Sequence, residues 1–161
     1  FYSKCNIRSY KFIRNRFLMI KLINIPKDLI NNVWVQVEPD IKSALDRSGN
    51  YANSDHFKEW LNKGLAQLWI LWDEEAEKPN KYHGVVVTEV INRPLIKICN
   101  IRIMVGKGRE NWQHHISIIE DFAKKNGCDK MELIARPGWE RVLKQFNYTK
   151  SHVVLDKYLK E

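Results

Sequence analysis

CNIRIMVGKGRENWQHHISIIEDFAKKNGCDKMELIARPGWERVLKQFNY, residues Cys99–Tyr148, alternates strand and helix signals with almost no residue spare between elements. ICNIRIMV reads as a buried strand, GKGRE as a loop opening onto a helix, and NWQHHISIIEDFAKKNGC as that helix. MELIAR reads as a second strand and PGWERVLKQFNY as a short helix. In the central helix Trp112, Ile116, Ile119, Phe122 and Ala123 fall on one 3.6-residue face, with Glu110, Gln113, Glu120, Asp121, Lys124 and Lys125 on the rest. Lys124 and Lys125 fall in the last turn and Gly127 follows as a left-handed cap, the polarity a helix dipole favours. A strand running through Gly106 and Gly108 into such a helix aims its first free backbone N–H groups at one point, which suits an anion.

The rest of the chain supports this unit. Ile20–Ile25 reads as a first strand ended by Pro26. Helical spacing then recurs at Leu29, Ile30, Val33, Trp34 and Val37 and again at Ile41, Ala44 and Leu45, interrupted by Pro39, giving two short helices or one kinked one. SGNYANSD is a loop in which Ser54 or Asp55 can cap the helix HFKEWLNKG. AQLWILW, YHGVVVTEVIN and LIKICNIRIMV form an antiparallel meander, joined by an acidic turn and by Asn92-Arg93-Pro94. MELIAR must lie parallel to the strand before the central helix, because a helical crossover joins them. Alternation in TKSHVVLDKYL predicts a closing strand. The fold class is therefore α/β in the α+β sense: a mixed sheet in which an antiparallel meander is followed by β-α-β-α-β.

The 161 residues, 44% of them hydrophobic, are enough for one domain with a core, and no apolar run approaches the roughly 18 residues of a membrane span. The formal charge of +8 is concentrated in residues 1–18, which hold Lys4, Arg8, Lys11, Arg14 and Arg16 and no acid; the other 22 basic residues stand against 19 acids. The basic leader 1–18 is expected to lie outside a single domain, 19–161, as translated upstream sequence before Met19. A basic arm for nucleic acid and an organelle presequence rank below that, since the leader has few Ser and no clean amphipathic period. Nucleic acid is accordingly not an expected partner of the domain. Cys5, Cys99 and Cys128 show no paired spacing and read as reduced thiols of a cytoplasmic protein.

The order of elements, and VGKGRENW followed by IEDFAKKNGC, MELIARPGWERVL and FNY, resemble the GNAT (general N-acetyltransferase) superfamily from about Ile20 onward. More narrowly, these motifs resemble GNAT-like proteins encoded by bacterial viruses. The resemblance implies acetyl-CoA as acyl donor and an amine as acceptor, with the pyrophosphate at the amino end of the central helix. It implies cofactor contacts at Ile103, Val105, Gly106, Lys107, Gly108, Arg109 and Asn111. The family loop Q/R-x-x-G-x-G/A corresponds here to Val105-Gly106-Lys107-Gly108-Arg109-Glu110, in which only Gly108 matches and Glu110 must point away from an anion. Lys107 and Arg109 attract one. The tyrosine that family members use as general acid has no counterpart in 139–146, and Tyr148 matches a structural aromatic. Glu89 is the candidate base, and Asn100 and Arg102, read as sharing a strand face with Ile96, Ile98 and Met104, are further candidates that either line an acceptor cleft or face solvent near a strand end. The rival expectation is a GNAT-fold protein without transfer activity, serving as a virion or interaction component.

Other chemistries lack their residues. His114 and His115 are adjacent and point about 100 degrees apart on a helix, and His56, His83 and His152 have no ligand-spaced partner, so no metal is expected and surface or capping roles are. There is no G-x-S-x-G elbow and no Walker loop. Trp34, Trp60, Trp112 and Trp139 read as core, while one of Trp69 and Trp72 is read as exposed.

Overall fold

The computed structural model describes residues 19–49 and 51–160; the leader 1–18 lies outside the described residues. β1 (Ile20–Ile25) leads through a 3₁₀ turn (Lys27–Leu29) into α1 (Ile30–Asp46) and α2 (Ser54–Asn62). Then come β2 (Gln67–Asp73), β3 (Tyr82–Asn92), β4 (Lys97–Gly106), 3₁₀ turns at Arg109–Asn111 and Gln113–His115, α3 (Ile116–Lys125), β5 (Lys130–Glu132) and α4 (Pro137–Leu143). The strands lie in the order β1-β2-β3-β4-β5, antiparallel except for β5, which runs parallel to β4 as the crossover requires. None of the described helices is long and apolar enough to cross a membrane.

Both faces of the sheet are covered, which is why β2 and β3 read as continuous apolar runs. Leu68, Ile70, Val85 and Val87 pack against Trp34, Val37, Ile41 and Phe57 of α1 and α2. Trp69, Leu71, Val86 and Ile101 pack against Trp112, Ile116 and Ile119 on the other side. Trp69 is 3% exposed and Trp72 packs half-buried on the α1 side, so neither is the exposed tryptophan expected.

Four boundaries differ from the sequence reading. α1 runs unbroken through Pro39, which sits on the exposed side, so its missing hydrogen bond falls where the freed carbonyl meets water. α2 is capped by Asn53, whose side chain accepts from the His56 N–H at 3.0 Å while His56 Nδ1 accepts from the Asn53 N–H. α3 begins at Ile116 rather than near Trp112. The closing strand is not formed: residues 149–160 have no regular structure, and Val153, Val154, Leu155, Tyr158 and Leu159 are exposed. Alternation supplies no ladder by itself, and the neighbouring β5 pairs over only three residues. Gly127, at φ 73, ends α3 as expected: the Cys128 N–H bonds to the Ala123 carbonyl and that of Gly127 to Lys124.

Candidate active site

Two register shifts shape the site. Val87 pairs with Ile103 but Thr88 with Ile101, so Arg102 is an extra residue in β4; Leu71 pairs with Gly84 but Trp72 with Tyr82, so His83 is an extra residue in β3. The first bulge reverses the alternation of β4. Cys99 and Ile101 face α3, whereas Ile103 and Val105 face α1 and α2. Arg102 consequently turns toward α2, and Met104, expected on its face, packs on the opposite side.

This bulge brings together two of the three candidate side chains. Arg102 Nε lies 3.3 Å from Glu89 Oε2, and both line a pocket of about 110 Å³ with Phe57, Trp60, Leu65 and Ala66. The guanidinium also stands over the Tyr51 ring, 5.4 Å from its centre. Asn100 is 6% exposed and lies directly across the ladder from Glu89.

β5 pairs with β4 only from Ile98 to Asn100, while β4 continues to Gly106 paired with β3 alone. From Ile101 onward the two parallel strands part, leaving about 16 Å of β4 edge with no neighbouring strand among the described residues. That edge ends at the glycine loop. Gly108 takes φ 59 and ψ 52, a left-handed conformation that favours glycine. Gly106 is needed for another reason: a Cβ there would meet Trp112 Cζ2 at 2.8 Å. Trp112, 3% exposed, tucks beneath the loop and its indole N–H donates to the Lys107 carbonyl at 2.8 Å. Its backbone at φ −138 leaves the helical region, which is why two 3₁₀ turns replace the first turns of the expected helix.

The free backbone N–H groups expected at the head of the central helix therefore do not lie at the head of α3. The 3₁₀ bonds begin with the Asn111 N–H to the Gly108 carbonyl and the Trp112 N–H to Arg109, so the orphan donors of this turn belong to Arg109 and Glu110. The Lys107 N–H is already committed to the His83 carbonyl at 2.8 Å. Lys107, Arg109 and Glu110 are exposed, and no packed side chain of theirs fills the space above the loop. Arg109 also reaches the Trp139 ring of α4, 5.7 Å from its centre. Tyr148 donates to Glu120 at 3.0 Å, tying the segment after α4 to α3. Cys99 is fully buried and its thiol is pushed up to about 12 by burial, so it is inert at neutral pH.

Two histidines expected in surface or capping roles, His83 and His115, are instead half-buried. His83 Nε2 is buried and, among the described residues, has no hydrogen-bond partner; it lies 3.8 Å from the buried Asp73 Oδ2, a pair that no sequence spacing signals. His115 Nε2 donates to the Ile20 carbonyl at 2.6 Å. Burial lowers the His115 pKa, with the Ile20 bond opposing. A histidine depressed in the folded state binds its proton more readily when unfolded. Its contribution is thus present above its usual value of about pH 6.5 and lost as pH falls below it. Urea midpoints should accordingly fall on acidification through pH 6, and His115→Gln, which keeps a donor for Ile20, should flatten that slope; an unchanged slope would assign it elsewhere.

None of the family models and none of the curated protein sequences compared with this chain matches it. Solved structures do. A predicted acetyltransferase from Clostridium acetobutylicum, solved with acetyl-CoA, superposes with a TM-score of 0.62 at 18% identity, covering 88% of this chain and 97% of that one. An aminoglycoside acetyltransferase from an uncultured soil metagenomic sample gives 0.61 at 16%, covering 89% and 98%. Glucosamine-6-phosphate N-acetyltransferase from Arabidopsis thaliana gives 0.61 at 14%, covering 88% and 99%. The chain has the fold of the GNAT acetyltransferases.

Proposed function

We propose that this protein is an N-acyltransferase that takes an acetyl group from acetyl-CoA. The observation that carries the reading is the unpaired β4 edge from Ile101 to Gly106, which ends on a glycine loop flanked by Lys107 and Arg109. A pantetheine arm laid along that edge would meet backbone groups of Ile103 and Val105, with its pyrophosphate over Gly106–Asn111. The thioester would then arrive near the Arg102 bulge, beside the pocket of Glu89. The acceptor nitrogen attacks the thioester carbonyl, a C–N bond forms, the C–S bond breaks, and the thiolate leaves as coenzyme A. Asn100 is the buried polar group opposite Glu89. Acetyl-CoA use fits a cytoplasmic setting, and the motif resemblance fits a bacterial virus as source.

The second reading, a transfer-inactive virion or interaction component, draws on the Lys107 N–H, which is bonded to His83 and so is lost to a ligand. Acetyl-CoA separates the two. At a hundredfold excess over its Kd a ligand adds about 2.7 kcal/mol, or about 5–10 °C in Tm for a chain of this size. Gly108→Val, strained at positive φ, should abolish that shift. No shift at millimolar acetyl-CoA would favour the inactive reading.

A further inference from the structure

We infer that the acceptor pocket selects an amino acid with a free carboxylate, a zwitterion rather than a polycation; this rests on the acetyl-transfer reading. The pocket presents a cation and an anion side by side, Arg102 and Glu89, closed by the aromatic walls of Phe57 and Trp60. Their charges cancel, so a polyamine drawn to Glu89 is repelled by Arg102 almost as strongly. A molecule with an ammonium and a carboxylate a few ångströms apart is attracted by both.

Geometry points the same way. Arg102 approaches Glu89 through Nε, and among the described residues no hydrogen bond engages its terminal nitrogens, the fork that matches a carboxylate. The Tyr51 ring, its centre 5.4 Å from the guanidinium carbon, adds a cation–π contact that favours this placement of the fork. Both side chains are about a third exposed, and an ion pair so solvated is worth little, so a substrate can part it at small cost. The remaining wall is apolar and the pocket small, which suits an aliphatic side chain. During transfer one ammonium proton goes to solvent, one to the departing thiolate, and one stays on the new amide. The products are an N-acetyl amino acid and coenzyme A.

The test titrates the full chain calorimetrically with the common amino acids, their matched amides and spermidine, with and without acetyl-CoA, and follows thiol release. At least one free amino acid should bind at millimolar concentration and turn over with a kcat/KM about tenfold or more above its amide. Arg102→Met should erase that preference by raising KM for the acid alone, and Arg102→Lys should restore part of it. Equal binding of acid and amide, preference for spermidine, or no amino-acid binding would overturn the inference. Titration without acetyl-CoA reports on the pocket itself, so a failure of the transfer reading, seen as no acetyl-CoA shift, is distinguishable.

Discussion

Gly84→Ala should lower the melting temperature by about 6–12 °C, a loss of about 3 kcal/mol or more. Gly84 stands directly across from Gly106 at the end of the β3–β4 ladder, and the two bare Cα atoms let the strands meet there. A Cβ on Gly84 would lie 2.3 Å from the Val105 carbonyl oxygen, 2.6 Å from the Gly106 Cα and 3.1 Å from Leu71 Cδ1. Two of those neighbours are backbone, so relief requires displacing β4 rather than turning a rotamer. The displaced segment carries the glycine loop, and the acetyl-CoA shift should disappear with the stability. A thermal melt within about a degree of the parent's would show that the strands separate more easily than close packing allows.

Trp112→Ala should cost about 3–5 kcal/mol, since it empties a buried indole site in the α3-side core. Trp112→Phe tells more. It keeps a ring against Gly106 but removes the donor to the Lys107 carbonyl, a loss of about 1 kcal/mol in stability. With the loop untied from below, the acetyl-CoA shift should shrink by more than the stability does. Urea midpoints and ligand melts measured together check this, and a phenylalanine variant equal to the parent in both would mean the indole bond does not position the loop.

Legibility in the sequence follows burial. β2, β3 and β4 are readable because a sheet covered on both faces leaves runs such as LWIL and VVV, and the parallel pairing of β5 follows from chain connectivity. Spacing alone misplaces Trp112, because 3₁₀ turns preserve nearly the same i, i+3, i+4 pattern as the helix they replace. Residue type marks Glu89 and Arg102 as candidates but says nothing of their contact. That contact depends on a bulge, and one inserted residue reverses every later side chain without changing composition. Asp73 and His83 belong to different strands and meet through a second bulge, so nothing local announces them. The tail at 149–160 misleads the other way: Val153-Val154-Leu155 is β-prone, but a strand also needs a regular face and a partner edge of matching length.

The bond from the Lys107 amide to the His83 carbonyl continues the β3–β4 ladder into the glycine loop. On that side the loop has a fixed anvil, clamped to the middle of the sheet. On its other side is α4, seven residues long, which meets the loop where the Trp139 ring lies under Arg109. Leu143 and Trp139 pack that short helix onto the α3-side core, so the glycine loop is braced by the sheet on one side and by a core-anchored ring on the other.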